Sequence, residues 1–192
     1  MRVSMDTPIR SNQDLLEQLQ RGLKPDYLMF WGHQPPRDGR VSQSCFSQWF
    51  DAGFEVEGVH YPTAEHFMMA GKALLFEDHE THARILQAGP PAYAKHLGRE
   101  VRDFDDTRWQ AARFDIVVQG NLAKFSQHPE LGHFLRCTRH KVLVEASPVD
   151  RVWGIGLAAD DAKAERPEQW RGLNLLGYAL MEVRDRLLAA EA

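Results

Sequence analysis

A mainly α, compact single-domain helical fold with a small β-hairpin near the N-terminus is the fold class this sequence predicts. Three observations predict it. The 192 residues are 43% hydrophobic and 26% charged, the balance of one globular domain long enough for a sizeable core. Beyond Thr63 the apolar residues recur mostly at helical spacing, with Pro, Thr, Asp and Gly where helices start or stop. Strand-like runs are short and few, and no internal repeat or low-complexity segment interrupts the pattern.

Residues 1–10 read as a loose arm. Ser11 then opens a helix whose stripe is Leu15, Leu16, Leu19 and Leu23, ending at Lys24-Pro25. Residues 27–31 form a short strand closed by Gly32, and residues 34–44, with Pro35, Pro36 and Gly39, form a surface loop. Phe54, Val56, Val59 and Tyr61 flank Glu57-Gly58 as a small hairpin. Thr63 caps a helix ending near Phe76, Asp78 caps a second that closes at Gly89, and Pro90-Pro91 open a third that ends at Gly98. A long helix is expected from Thr107, with Trp109, Ala112, Ile116, Gly120 and Ala123 as one buried stripe. Gly120 inside it costs about 1 kcal/mol relative to Ala, which points to a close packing contact. Pro129 opens another helix through Leu131, Phe134 and Leu135, and residues 142–144 are a short apolar run open to a strand reading. A glycine-bearing loop (150–156), a polar excursion (158–169) and a final amphipathic helix (174–188) complete the chain.

The net charge of −4 argues against a general grip on duplex nucleic acid, which needs an excess of Lys and Arg, but leaves room for one nucleotide or modified base in a pocket. Cys45 and Cys137 lie far apart with no CxxC spacing. With no secretory signal and no 18-residue apolar run, no membrane association is expected, and a cytoplasmic setting with both thiols reduced is. Oligomeric state is not legible.

The Thr63 helix carries Glu65 and Lys72 seven residues apart. At about 100° per residue, seven steps return to within roughly 20° of the same face, with a rise of about 10 Å. That is too far for an ion pair and suits groups at opposite ends of a sugar-sized pocket, floored by Met68 and Met69. The competing reading is a surface helix with solvated charges.

Three segments concentrate aromatic and small residues: Phe30-Trp31-Gly32-His33, Phe46-Ser47-Gln48-Trp49-Phe50, and the stretch 147–156 with Asp150, Trp153, Gly154 and Gly156. A Trp face suits a purine or pyrimidine ring, and glycine lets backbone approach a ligand. The alternative is that these tryptophans plug a helical core. Nine histidines do not assemble a metal set: His79-x-x-His82 lies on a polar helix face and no HExxH is present. No P-loop, dinucleotide fingerprint or nucleophile elbow occurs, so neither metal nor cofactor is expected.

These segments occur in the order of one family. Phe30-Trp31-Gly32-His33, 46–50, Tyr61-Pro62-Thr63-Ala64-Glu65-His66-Phe67, Lys72, Lys95-His96-Leu97-Gly98-Arg99, Trp109 with Arg113, Lys124-Phe125, the stretch 144–156 and the stretch 170–177 together resemble the NADAR superfamily, whose bacterial members are called YbiA-like proteins. The likeness runs from about residue 27 to 188, and its Asp-Arg-x-Trp-Gly-x-Gly stretch is specific. It divides the chain into an N-terminal arm and added helix (1–26) and a YbiA-like catalytic domain (27–190). One position departs: Gln48 stands where the family pattern has Asn, a longer side chain that bears on substrate choice.

The resemblance implies a mainly α fold and hydrolysis of the bond between ribose C1 and an amino nitrogen, in a riboflavin-pathway intermediate or in ADP-ribosylated guanine of nucleic acid. Breaking that bond develops positive charge at C1 and negative charge on the departing nitrogen, so a fixed carboxylate and a proton donor are wanted. Glu65 is the choice for proton transfer and Asp150 for holding the sugar, with the two roles exchangeable. Lys72 either steadies a phosphate or hydroxyl as a cation or, with its pKa depressed, forms an imine with ring-opened ribose; the resemblance leans to the imine. Trp31, Trp109 and Trp153 are expected to sandwich base or sugar. Asn174 is expected to bond a hydroxyl or phosphate, and Phe30, Gly32, Ser47, Gln48 and Gly154 complete the substrate-binding set. The rival readings are a non-catalytic module binding ADP-ribose or a nucleotide, and a helical interaction domain.

Overall fold

A computed structural model describes residues 8–191 of the chain. Within them the order is α1 (Asn12–Gln20), β1 (Tyr27–Phe30), β2 (Phe54–Val56), β3 (Val59–Tyr61), α2 (Ala64–Leu75), α3 (His79–Leu86), α4 (Pro91–Arg99), α5 (Asp106–Gln127), α6 (Pro129–Cys137), β4 (Val142–Glu145) and α7 (Leu175–Ala189). The mainly α expectation holds. Short 3₁₀ turns at Gln43–Phe46 and Pro167–Gln169 interrupt two of the loops.

The helix starts follow their capping chemistry. Ser11, Thr63, Asp78 and Asp105 each accept a backbone N–H three residues on, satisfying a donor the first turn leaves orphaned. The hairpin turns through Glu57 and Gly58, both at positive φ (52° and 77°), the geometry that matches strand twist in a two-residue loop.

The apolar run at 142–144 is a strand, β4, pairing in parallel with β1 from Tyr27↔Val142 to Phe30↔Glu145. A parallel pair needs a long crossover, here everything from the first aromatic loop to α6. Both strands therefore end on the same side of the molecule, delivering Trp31 and Glu145 next to each other in space.

The long α5 packs against both α2 and α7. Being sandwiched widens its buried arc, and the expected stripe slips by one residue in its second half. Val117, Val118, Asn121, Lys124 and Phe125 are buried, whereas Ala112, Ile116 and Ala123 are only partly covered. The helix also begins at Asp106, one residue before Thr107. Gly120 is where α2 comes close: a Cβ there would lie 2.5 Å from Phe67 Cδ1. Similarly, α3 stops at Leu86, short of Gly89, and α4 runs one residue past Gly98.

The N-terminal helix is no loose appendage. Leu15 is fully buried, Asn12 donates to Gly172 O (3.0 Å), and Tyr178 donates its hydroxyl proton to Asn12 Oδ1 (2.9 Å). Of the arm expected over residues 1–10, residues 1–7 lie outside the described residues; Ile9 is buried, and Arg10 pairs with Glu182 and Asp185.

Candidate active site

A cleft of two adjoining chambers, about 430 and about 360 Å³, opens between the ends of β1 and β4 and the helices α2 and α4. Glu65, Met68, Lys95, Asp150 and Trp153 line both chambers and form the waist. One chamber is aromatic, walled by Trp31, His33 and Trp49 with Gly32, Ser47, Gln48 and Glu145. The other is cationic, with Lys72, Arg99 and Arg113 beside Phe104, Asp106 and Trp109. A separate cavity of about 560 Å³ opens at the opposite ends of β1 and β4, and no predicted site residue reaches it.

Glu65 sits in the first turn of α2 and is 2% exposed. His66 pins that turn. Its Nε2–H donates to Ala88 O (3.0 Å), so its Nδ1 accepts the Thr63 hydroxyl proton (2.8 Å). Oε1 of Glu65 is buried without a hydrogen-bond partner. Burial pushes this carboxyl up to about 7; Lys95, the Trp49 side chain and Arg99 pull it down, and Asp150 adds to the rise. A carboxyl balanced near neutral pH can give or take a proton.

Lys72 donates to Gly98 O (2.7 Å), with Nζ 4.3 Å from the Phe104 ring centre and 5.6 Å from that of Trp109. Burial, then Arg99, lowers its pKa below the ordinary lysine value, against the pull of Asp106. Asp150 is tied by one oxygen: Oδ1 accepts from the backbone N–H groups of Val152 and Trp153 (2.8 Å each), and its own N–H donates to Ser147 Oγ (3.1 Å). Oδ2 is left as the oxygen available to a ligand.

A buried cation shapes the aromatic wall. Lys124 on α5 is wholly buried and donates to Cys45 O (2.6 Å) and Ser47 O (3.1 Å), fixing the segment that presents Ser47, Gln48 and Trp49. Burial lowers its pKa to about 8.

Nine of the twelve predicted site residues gather in the cleft: Glu65, Lys72, Asp150, Trp31, Gly32, Ser47, Gln48, Trp109 and Trp153. Trp31 and Trp109 nevertheless occupy different chambers, so only Trp153 can touch ligands in both, and the three do not sandwich one ring. Phe30, Gly154 and Asn174 do not line it. Phe30 points into the core, edge-on to Phe46 at 5.5 Å between ring centres. Gly154 is needed for the protein's own packing, since a Cβ there would meet Glu145 O at 2.8 Å. Asn174 spends both ends of its amide on β4, accepting from Glu145 N and donating to Leu143 O (2.9 Å each).

Among the cleft residues that sequence reasoning missed are Glu145, Lys95, Trp49, Arg99 and Arg113. Each lies inside a segment already singled out, but nothing in its spacing marks it as facing the cleft. Burial pushes Glu145 up to about 8, with Asp150 and Glu65 adding to the rise and Lys95 opposing it. Among the described residues no three His, Cys, Asp or Glu side chains are placed to hold a metal ion. No helix of the described residues is long and apolar enough to cross a membrane.

Comparison with known proteins identifies the family and the fold. Residues 29–188 match the family profile described as the NADAR domain. The chain is 46% identical to N-glycosidase R617 of Acanthamoeba polyphaga mimivirus over 164 residues, covering 83% of this chain and 95% of the viral protein. It is 31% identical to N-glycosidase YbiA of Escherichia coli K12 over 144 residues, covering 75% and 79% of the two chains. The NMR structure of E. coli YbiA superposes with a TM-score of 0.66 at 26% identity, covering 88% of this chain and 89% of that one. With five-sixths of its length inside the family profile, the chain belongs to the NADAR family.

Proposed function

We propose that this protein is an N-glycosidase that hydrolyses the bond between ribose C1 and an amino nitrogen of a nucleotide-like substrate. The reading draws on relatives named as N-glycosidases at up to 46% identity. The observation that carries it is the waist of the cleft, where a buried carboxyl balanced near neutral pH faces the same space as Asp150 and lies beside the chamber holding Lys72. The aromatic chamber takes the base, and the sugar lies across the waist with C1 turned toward Lys72 and its phosphate toward Arg99 and Arg113 of the cationic chamber. Both a phosphorylated riboflavin-pathway intermediate and ADP-ribosylated guanine have this layout.

The chemistry follows from those positions. The amino nitrogen pushes open the sugar, breaking the bond from C1 to the ring oxygen, which takes the proton of Glu65. The neutral amine of Lys72 adds to C1. Glu65, now ionised, accepts a proton from the new ammonium and passes it to the departing nitrogen, which leaves with the C1–N electron pair. C1 remains as an imine on Nζ. Water adds to C1 of the protonated imine, Glu65 takes back the proton this releases, Lys72 leaves as the neutral amine with the C1–Nζ electron pair, and the freed sugar closes again. Oδ2 of Asp150 accepts from a ribose hydroxyl and holds C1 in place.

The test is to give the purified protein both substrates and follow the products by mass spectrometry. Release of free base with time supports the reading, and the substrate that releases it names the class. Tight binding of both with no release identifies a nucleotide-binding module instead.

A further inference from the structure

Glu145 ends β4 at the rim of the aromatic chamber. Its backbone is fully engaged: the N–H donates to Asn174 Oδ1 (2.9 Å) and the carbonyl accepts from Ile155 N (3.0 Å). The side chain is the opposite case, because Oε2 is buried with no hydrogen-bond partner. The charged or titratable groups that face it are Glu65 on α2, Lys95 on α4, Asp150 on the loop after β4, and His33 after β1. A single lysine of this chamber is thus shared by three carboxyl groups, two of them with a buried oxygen, and crowding makes it costly to ionise them all. Glu65 and Glu145 each have a sealed, unpartnered oxygen and are costly to charge, but the Trp49 side chain and Arg99 ease the charge on Glu65 and neither does so for Glu145, so Glu145 keeps its proton.

A protonated carboxyl is a hydrogen-bond donor, whereas a neutral amide in the same chamber is already occupied by the protein. Gln48 shows this: its Oε1 accepts from Asn121 (2.7 Å) and its Nε2 lies 3.5 Å from Ala64 O. Resting on the N-glycosidase reading, we propose that Glu145 is a specificity-determining residue that donates a hydrogen bond from its neutral carboxyl to a carbonyl oxygen or unprotonated ring nitrogen of the base. The Glu145 carboxyl lines the unliganded chamber without a hydrogen bond to the protein, and the substrate supplies its partner. Bases that present such an acceptor on the edge facing β4 are selected, and bases that present an N–H there are refused. The burial that raises this carboxyl to about 8 is consistent with a neutral group at physiological pH.

The test compares Glu145→Gln, which keeps a donor of similar shape, with Glu145→Ala, which removes it. Both are assayed on the riboflavin-pathway intermediate and on an ADP-ribosylated guanine oligonucleotide. Expected for Glu145→Gln is a KM within about threefold of the parent, without the parent's rise in KM above about pH 8. Expected for Glu145→Ala is a KM about tenfold higher with kcat little changed, the size of one lost hydrogen bond. A kcat collapse in Glu145→Gln means that the ionised carboxylate is what matters, and an unchanged KM in Glu145→Ala means that no contact is made; either overturns the proposal. A ¹³C NMR titration of glutamate side-chain carboxyls decides the protonation state even if neither substrate is cleaved. A Glu145 signal, assigned by its loss in Glu145→Gln, that titrates near neutral pH or above supports the proposal, and one that titrates in the ordinary glutamate range overturns it. Failure of all turnover with a high-titrating Glu145 counts against the N-glycosidase reading alone.

Discussion

The backbone N–H of Glu65 donates to the carbonyl oxygen of Gln48 at 2.9 Å, so the first turn of α2 and the aromatic wall of the cleft are one hydrogen-bonded unit. Gln48 is anchored in turn by Asn121 on α5, whose Nδ2 donates to Gln48 Oε1 (2.7 Å) and to Val117 O (2.9 Å). The long helix thus helps to position Glu65 through Gln48.

Asn121→Ala is therefore expected to lower both stability and turnover. The variant leaves a buried amide oxygen unpartnered, a loss of about 1–3 kcal/mol in a denaturant titration. Turnover should fall while substrate still binds, because the wall moves and the pocket remains.

Glu65→Gln keeps the shape of the side chain and removes the transferable proton. Turnover is expected to fall by about 10²–10⁴-fold with the fold intact, as judged by circular dichroism. A folded variant that retains more than about a tenth of the parent rate would exclude acid–base work by this residue.

Stability should carry the mark of the same carboxyls. Folding raises Glu65 from 4.5 to about 7 and Glu145 from 4.5 to about 8. Between those values the folded state binds more protons than the unfolded state, so the contribution of these groups to stability falls as pH rises and is fully lost above about pH 8. Thermal unfolding of Glu65→Gln across that range should show a flatter decline than the parent. An identical decline would mean that Glu65 does not titrate there.

Gly120→Ala tests the packing beneath the site. The added methyl meets Phe67, which is itself wedged against Phe54 and Tyr61. Overpacking of this kind costs about 1–3 kcal/mol, measurable by chemical denaturation.

Much of the fold was legible because the chain states its helix starts locally. Ser11, Thr63 and Asp78 cap where capping chemistry puts them, and Glu57-Gly58 turns where a two-residue hairpin should. Glu65 and Lys72 were readable as a pair because helical geometry alone puts them on one face. The parallel pairing of β1 with β4 was not readable, since it joins residues more than a hundred positions apart. For the same reason Glu145 was invisible as a site residue: its importance comes from ending β4 beside Trp31. Asn174 shows the converse. An amide in a glycine-bearing motif looks free to bind a ligand, and only the folded chain reveals that β4 takes both its ends.

Reductive trapping at Lys72 tests the central chemistry most directly. Borohydride added during turnover should reduce the imine and leave the sugar on Nζ, seen as a mass shift on the peptide containing residues 64–75. Lys72→Arg should then be inactive and untrapped, because a guanidinium keeps its charge but cannot act as the amine. An active Lys72→Arg enzyme, or steady turnover in borohydride with no labelled Lys72, would contradict the covalent route and leave Glu65 and Asp150 acting on bound water.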